Sequence, residues 1–271
     1  MAAVILTVLD HPAAAGTLLR AAERLAVLCG ASRINAMLVR APPETMVSPS
    51  EEVLTLQREA KLSDQEAVRA RKAQAAFEAW LPELPAGIAS QWLDIDGIAE
   101  LLVEEHGRRA DFIVMERPTR RQYSTSWHAL RAALFATDRP ILVVPRHCSV
   151  NFGRRIAIAW RDDERAAKAV LAAIRCLAGC EKVFVLTGVR EAAAKPALPA
   201  ILAEHGIAAE LHLLPIVAGP FGAALLRKVH GLGADMLVMG AYQHSPLREL
   251  LLGGVTRHVL SHANLPVLLR H

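Results

Sequence analysis

The chain has 271 residues, of which 53% are hydrophobic, 21% charged and only 4% aromatic. That is long for one domain and comfortable for two, with a large core packed by aliphatic side chains. Its net charge of +4 is dispersed apart from short pairs such as Arg120-Arg121 and Arg154-Arg155; without a basic stripe interleaved with aromatics, nucleic acid is not an expected partner. No apolar run reaches the length of a bilayer span, so no membrane association is expected. The first residues enter a strand pattern without a basic leader region, so no signal peptide is read and a cytoplasmic location is expected.

Taken in order, Val4 to Leu9 is a continuous β-type run that stops at Asp10-His11-Pro12. Leu18, Leu19, Ala22, Leu25, Ala26 and Cys29 then recur at helical spacing, and Gly30 closes that helix. Ile34 to Val39 predicts a second strand, broken by Pro42-Pro43. Residues 44 to 62 are charged and weakly periodic, and Ser63-Asp-Gln-Glu66 reads as a capping box opening a helix that carries Ala70, Ala73, Phe77 and Trp80 on one side. Ile88 to Leu93, Asp111 to Met115 and Pro140 to Val144 predict three more strands, separated by a helix to His106 and a short helix to Ala136.

The same order then returns. Strands are predicted at Ile156 to Trp160, Val183 to Leu186, Leu211 to Val217, Asp235 to Met239 and Pro266 to Leu269. Helices are predicted from Asp163 to Leu177, over 191 to 205 with interruptions at Pro196 and Pro199, from Gly219 to Gly231, and from Gly254 to His262. The segment Gly107-Arg-Arg-Ala-Asp-Phe-Ile-Val-Met115 aligns with Gly231-Leu-Gly-Ala-Asp-Met-Leu-Val-Met239, and Arg139-Pro-Ile-Leu-Val143 with Leu265-Pro-Val-Leu-Leu269. This is an internal repeat of two βαβαβαβαβ units, each an α/β domain with a parallel sheet, spanning 1–148 and 149–271.

The stretch from Gly240 to Thr256 stands out. A buried strand runs into a glycine-punctuated loop and then a helix start, the parts of an anion cradle. Gly240, Gly253, Gly254, Val255 and Thr256 are its candidate residues, with His244, Ser245, Arg248 and Arg257 as further contacts. A tight turn that holds no ligand is the bland alternative for the glycines, loop capping for His244 and Ser245, and a solvated surface for Arg257. Trp160 could stack on a base or simply fill a core. Arg161 could contact an anion or pair with Asp162 or Asp163.

With its repeat, its Gly-Ala-Asp-Met-Leu-Val-Met-Gly240 run, its loop to Gly253 and its closing Pro266-Val-Leu strand, the chain resembles the universal stress protein family in its tandem form. The resemblance implies two flavodoxin-like, Rossmann-like domains, each with five parallel strands in the order 3-2-1-4-5. It implies a pseudo-dimer within the chain, with Pro140–Val144 and Pro266–Leu269 as partners across the axis. It also implies ATP or AMP at the carboxyl ends of the second domain's strands, where open α/β sheets take ligands. The family's ATP-binding branch has a second loop glycine where this chain has Gln243, a hydroxyl residue where it has Gly254, and an acid near the adenine where it has Arg161. Thr256 is the candidate replacement for the hydroxyl. In the first half the acid is present as Asp10, but Glu116-Arg-Pro and Trp127-His128 occupy the phosphate side, so that copy reads as degenerate.

No serine, cysteine or lysine nucleophile sits beside an evident base, so no catalytic residues are assigned. Cys29, Cys148, Cys176 and Cys180 include no Cys-x-x-Cys pair and read as small buried hydrophobes, with a metal or redox site at Cys176 and Cys180 as the alternative. Eleven histidines are spread along the chain; no metal-ligating spacing is read among them and no metal is expected. The resulting reading is a non-enzymatic stress-response sensor or stabiliser that takes ATP or AMP in its second half. The alternatives are a nucleotide-independent scaffold for a protein partner of unknown identity and an enzyme of the broader adenine-nucleotide α-hydrolase-like group. A homodimer of chains is left open.

Overall fold

The structure, a computed structural model, describes residues 3–46, 55–118, 125–190, 196–217, 219–241 and 254–271. Strand β1 (Ala3–Val8) leads into helix α1 (Pro12–Cys29), which ends at Gly30 in the left-handed region, φ 69°, where a residue without Cβ is unstrained. Then follow β2 (Ala31–Arg40), α2 (Leu56–Trp80), β3 (Ala89–Asp96), α3 (Ala99–Arg108), β4 (Phe112–Glu116), α4 (Thr125–Ala136) and β5 (Ile141–Val144). The second half repeats them as β6 (Arg155–Trp160), α5 (Glu164–Ala178), β7 (Lys182–Val189), α6 (Ala200–Glu204), β8 (Glu210–Pro215), α7 (Phe221–Gly231), β9 (Met236–Gly240), α8 (Gly254–His262) and β10 (Val267–Arg270).

The strands form one ten-stranded sheet in the order β3-β2-β1-β4-β5-β10-β9-β6-β7-β8. Each half is parallel and runs 3-2-1-4-5 in its own numbering. The halves meet where β5 and β10 pair antiparallel, Val143 opposite Val267, Leu142 opposite Leu268 and Ile141 opposite Leu269. All six residues are buried, as expected of a central parallel sheet covered on both faces.

Each sheet face carries one apolar layer that runs through both halves. Under α1, α2 and α5 lie Ile5, Ile34, Val114, Leu142, Ile158, Val185 and Leu268. On the other face, under α3, α4, α7 and α8, lie Leu6, Ile113, Val143, Ala157, Leu237 and Leu269. This alternation within single strands is the period-two signature of a sheet buried on both sides.

The aligned aspartates of the repeat do the same work in both halves. Asp111 accepts a hydrogen bond from the Val4 amide (2.7 Å), at the start of β1. Asp235 accepts from the amides of Gly153 (2.8 Å) and Arg155 (3.2 Å), at the start of β6. In each case a carboxylate ahead of the fourth strand fixes the entry of the first, so the Ala-Asp pair at Ala110-Asp111 and Ala234-Asp235 has a backbone role.

Two element expectations are corrected. The helix placed at Ser63 begins earlier, at Leu56, capped by Thr55, whose side chain accepts from Arg58 N (3.3 Å). Ser63 and Glu66 therefore lie inside α2 and form no capping box. The helix expected over 191 to 205 is confined, among the described residues, to Ala200–Glu204, because Pro196 and Pro199 remove amide donors from the turns before it; 191–195 lie outside the described residues. No helix among the described residues is long and apolar enough to cross a membrane.

Truncating Leu268, fully buried at the seam, to alanine should lower the unfolding free energy of the whole chain by about 2–5 kcal/mol. Urea denaturation followed by circular dichroism checks this; a change within 0.5 kcal/mol, the range of a surface substitution, would mean that the seam contributes little to the fold.

Candidate functional site

Within each half the first and fourth strands are neighbours, and the chain leaves them in opposite directions. Their carboxyl ends therefore open a crevice at a topological switch point. The two crevices have different contents.

In the second half the crevice is a cavity of about 470 Å³. Ala159, Leu186 and Met239 form its floor, with Phe221 and Leu225 from α7 and Val255 from α8 as apolar walls. The backbone of Gly254 opens α8 at its edge, and nothing lies within 4 Å of the position a Cβ would take there. Thr187 borders the cavity as the register partner of Trp160, its side chain following Val183 and Val185 on the α5 face, and its buried hydroxyl has no hydrogen-bond partner among the described residues. A buried hydroxyl without a partner is costly.

The predicted site residues divide around this cavity. Trp160, Arg161, Gly254 and Val255 border it. Trp160 follows Ile156 and Ile158 on the α5 face of β6 and packs partly against that core layer, so it meets the cavity at the rim. Arg161 is held by Asp163, with Nε 2.6 Å from Oδ2. The same Asp163 caps α5, its other carboxylate oxygen accepting from Ala166 N (2.9 Å). Of the pairings open to Arg161 in the sequence, the structure forms the one with Asp163.

Three expectations change. Gly240 is buried and outside the cavity wall. A Cβ on it would stand 3.1 Å from the Arg165 carbonyl carbon and 3.2 Å from Ala166 N, so the glycine lets β9 lie against the first turn of α5. Thr256 is fully buried in α8, facing inward, and its hydroxyl does not replace the one missing at Gly254. Arg257 is outside this cavity's lining and borders both the opening between the starts of α7 and α8 and the cleft beside the seam. Gly253, His244, Ser245 and Arg248 lie outside the described residues.

The first-half crevice is smaller, about 200 Å³, and lined by charge. Asp10 accepts from the Ser126 hydroxyl at 2.6 Å. Glu116, at the end of β4, receives Arg146 Nε (2.7 Å) and His11 Nδ1 (3.0 Å). Burial would raise the Glu116 carboxyl, but the bonds from His11 and Arg146 outweigh it and hold the group below its ordinary value. His11 is raised in turn, chiefly by its bond to Glu116.

Across the mouth lies an ion pair from α2 that the sequence reading missed. Arg69 bonds Glu66 (Nε to Oε1, 2.9 Å) and donates to the carbonyls of Asp10 (2.7 Å) and Val39, while Glu66 accepts from Ala41 N (3.3 Å). The clamp ties α2 to the carboxyl ends of β1 and β2. Its signal was present: the buried residues of α2 are Glu66, Ala70, Ala73, Phe77 and Trp80, so Glu66 continues the inward stripe where another apolar residue would be expected.

The histidine reading also needs correction. His258 and His262 are one turn apart on α8, with stacked rings 4.2 Å between centroids. This is a His-x-x-x-His spacing. No third His, Cys, Asp or Glu joins them in a metal-sized group among the described residues. The four cysteines are unpaired. Cys29 and Cys176 are buried and Cys148 and Cys180 partly so; burial pushes the Cys148 thiol up to about 11 and the Cys176 thiol up to about 12, which keeps both protonated and unreactive near neutral pH.

Residues 214–271 match the family model of the universal stress protein family. No curated protein matches the chain. Among solved structures the chain is similar to a universal stress protein from Archaeoglobus fulgidus DSM 4304, with a TM-score of 0.69 and 15% identity over 98% of this chain and 95% of that one. It is also similar to a functionally unknown protein from Pseudomonas aeruginosa PAO1, with a TM-score of 0.61 and 17% identity over 98% and 92%. At these identities the likeness to the solved structures is one of fold.

The His11–Glu116 pair has a defined pH window. With His11 raised above 6.5, its contribution to stability is complete below 6.5 and is lost as pH rises through the folded value; with Glu116 held below 4.5, its contribution is complete above 4.5 and is lost as pH falls through the folded value. In a proton NMR titration His11 should titrate above 6.5 and fall back towards that value in Glu116→Gln. An unchanged His11 titration in the variant would remove Glu116 as the cause.

Proposed function

We propose that this chain, whose C-terminal segment matches the universal stress protein family and whose fold is that of a solved universal stress protein, is a non-enzymatic stress-response sensor or stabiliser that takes an adenine nucleotide in its second half. It is read as working in the cytoplasm. The halves, 1–148 and 149–271, are read as the two members of an internal pseudo-dimer joined through Pro140–Val144 and Pro266–Leu269, with a protein partner or a second chain receiving the signal.

One observation supports the nucleotide most: an apolar cavity at the switch point between β6 and β9 is bordered by the N-terminus of α8. Apolar walls from Leu186, Phe221, Leu225 and Val255 suit a purine ring. The first amides of α8, beginning at Gly254, suit a phosphate, since a helix N-terminus leaves its amides unpaired and carries partial positive charge. The first half suits a nucleotide poorly, because Asp10 and Glu116 line its crevice and would repel a phosphate.

A second reading, a nucleotide-independent scaffold of the same fold, is favoured by one contact. Arg161 stands where the family's ATP-binding branch has an acid, and it is engaged by Asp163.

Calorimetric titration with ATP and AMP decides between them. The parent should bind with one site per chain. Gly254→Ser, in open space at the helix start, should bind about tenfold more tightly by adding a hydroxyl donor to a charged acceptor. Gly254→Asp should weaken binding by a similar factor. No heat from the parent would leave the scaffold reading, equal affinities in all three proteins would place the nucleotide elsewhere, and sustained product formation from ATP would overturn the non-enzymatic assignment.

A further inference from the structure

Beside the β5·β10 seam the halves enclose a second cleft, open and about 730 Å³ in volume, built from residues of both. Arg117, Arg146 and His147 come from the end of the first half's sheet, and Arg257 and His262 from α8 of the second. Trp127 of α4 supplies a flat aromatic wall. Glu116 is the one acid in the lining among the described residues, and it is already bonded to Arg146 and His11.

The fold's internal symmetry places different side chains at equivalent positions on the two sides of the axis. The segments Ala136-Thr-Asp-Arg-Pro140 and His262-Ala-Asn-Leu-Pro266 are equal in length, so Phe135 corresponds to Ser261 and Arg131 to Arg257. The strand pairings Glu116 with Val144 and Gly240 with Arg270 make Pro145 the counterpart of His271. On one side of the axis Phe135 and His271 pack edge to face, 4.9 Å between centroids. On the other side the same positions hold Ser261, which lines the cleft, and Pro145.

The cations in it are differently engaged. Arg117 reaches across the seam to the Ala263 carbonyl, which fixes the floor. Arg146 is turned to Glu116 (2.7 Å). The guanidinium of Arg257 and the ring of His147 make no hydrogen bond or ion pair among the described residues, and both side chains are exposed, one from each half. Two unengaged cationic or protonatable groups, one from each half, line the same cleft as two more guanidinium groups. Fixed positive groups converging in a concave site concentrate field and attract multivalent anions.

We propose that this cleft is a binding site for a polyphosphate group, inorganic or the tail of a nucleotide, clamped between Arg257 of the second half and His147 of the first. The site is separate from the second-half crevice and does not depend on a nucleotide binding there. Because its ligand touches both halves, occupancy ties them together across the seam.

The test titrates the full chain with inorganic tripolyphosphate, which has no base to occupy the apolar crevice, in low and moderate salt. One site per chain is expected, weakened by salt. Arg257→Glu and His147→Glu should each lower affinity about tenfold. Arg71→Glu, an exposed α2 residue carrying the same change in charge as Arg257→Glu, should leave affinity unchanged. Arg257, His147 and Arg71 are exposed and Trp127 is half-buried; thermal melts matching the parent verify folding. Repeating the titration with ADP separates the sources: equal affinity assigns the phosphates alone, and tighter ADP binding lost in Trp127→Ala assigns a nucleotide with its base on Trp127. An absence of heat with tripolyphosphate overturns the proposal. So does an effect of Arg257→Glu without one of His147→Glu, because the anion would then sit at the start of α8. A loss in Arg71→Glu equal to the other two would reduce the effect to net charge.

Discussion

The antiparallel pairing of β5 with β10 is the constraint on which the rest of the molecule depends. Each half would otherwise end in a four-residue edge strand with all four side chains buried in the first case and three in the second. An apolar edge with unpaired amides and carbonyls is an invitation to pair with another chain. Joining the edges removes both liabilities at once and makes the apolar layers on either face continuous across the halves. Cross-seam bonds are built on the same geometry: Arg117 to the Ala263 carbonyl, Arg270 to Asp138 at 3.3 Å, and Arg24 to the Phe152 carbonyl at 2.7 Å.

The shared architecture places two equivalent crevices at the carboxyl ends of the sheet, and the side chains at a few positions set them apart. At the end of the fourth strand, Glu116 in the first half corresponds to Gly240 in the second. The carboxylate anchors His11 and Arg146 and spends the crevice on an internal network; the glycine lets a helix close in and leaves the neighbouring space apolar and open. The Glu66–Arg69 clamp of α2 completes the closure of the first crevice. The second half offers no equivalent helix: after β7, the chain forms only the five residues of α6 among the described residues.

The repeat and nearly all of the strands were legible because their causes are local and periodic. Continuous apolar runs bounded by Gly, Pro and Asp specify buried strands, and the Ala-Asp pairs recur because each half needs the same carboxylate at the same strand entry. The failures were also physical. The capping-box reading at Ser63 rested on a four-residue pattern, while a longer helix began upstream at a better cap, Thr55. Gly240 looked like a ligand contact because glycine next to a loop usually is one; the close approach of α5, a contact distant in sequence, gave it a different role. Thr256 was read by its chemistry, and its orientation on α8 buries it. The His258 and His262 pair was available in the sequence and was overlooked.

By itself the sequence determined the alternation of strand and helix and the duplication, since these follow from hydrophobic periodicity and turn chemistry acting over a few residues. Only the tertiary structure decided which side chains meet. Whether Gly240 meets open space or a helix, and whether Phe135 packs on His271, depend on contacts between segments far apart in the chain. Such contacts exist only once the sheet has set the spacing and direction of every element.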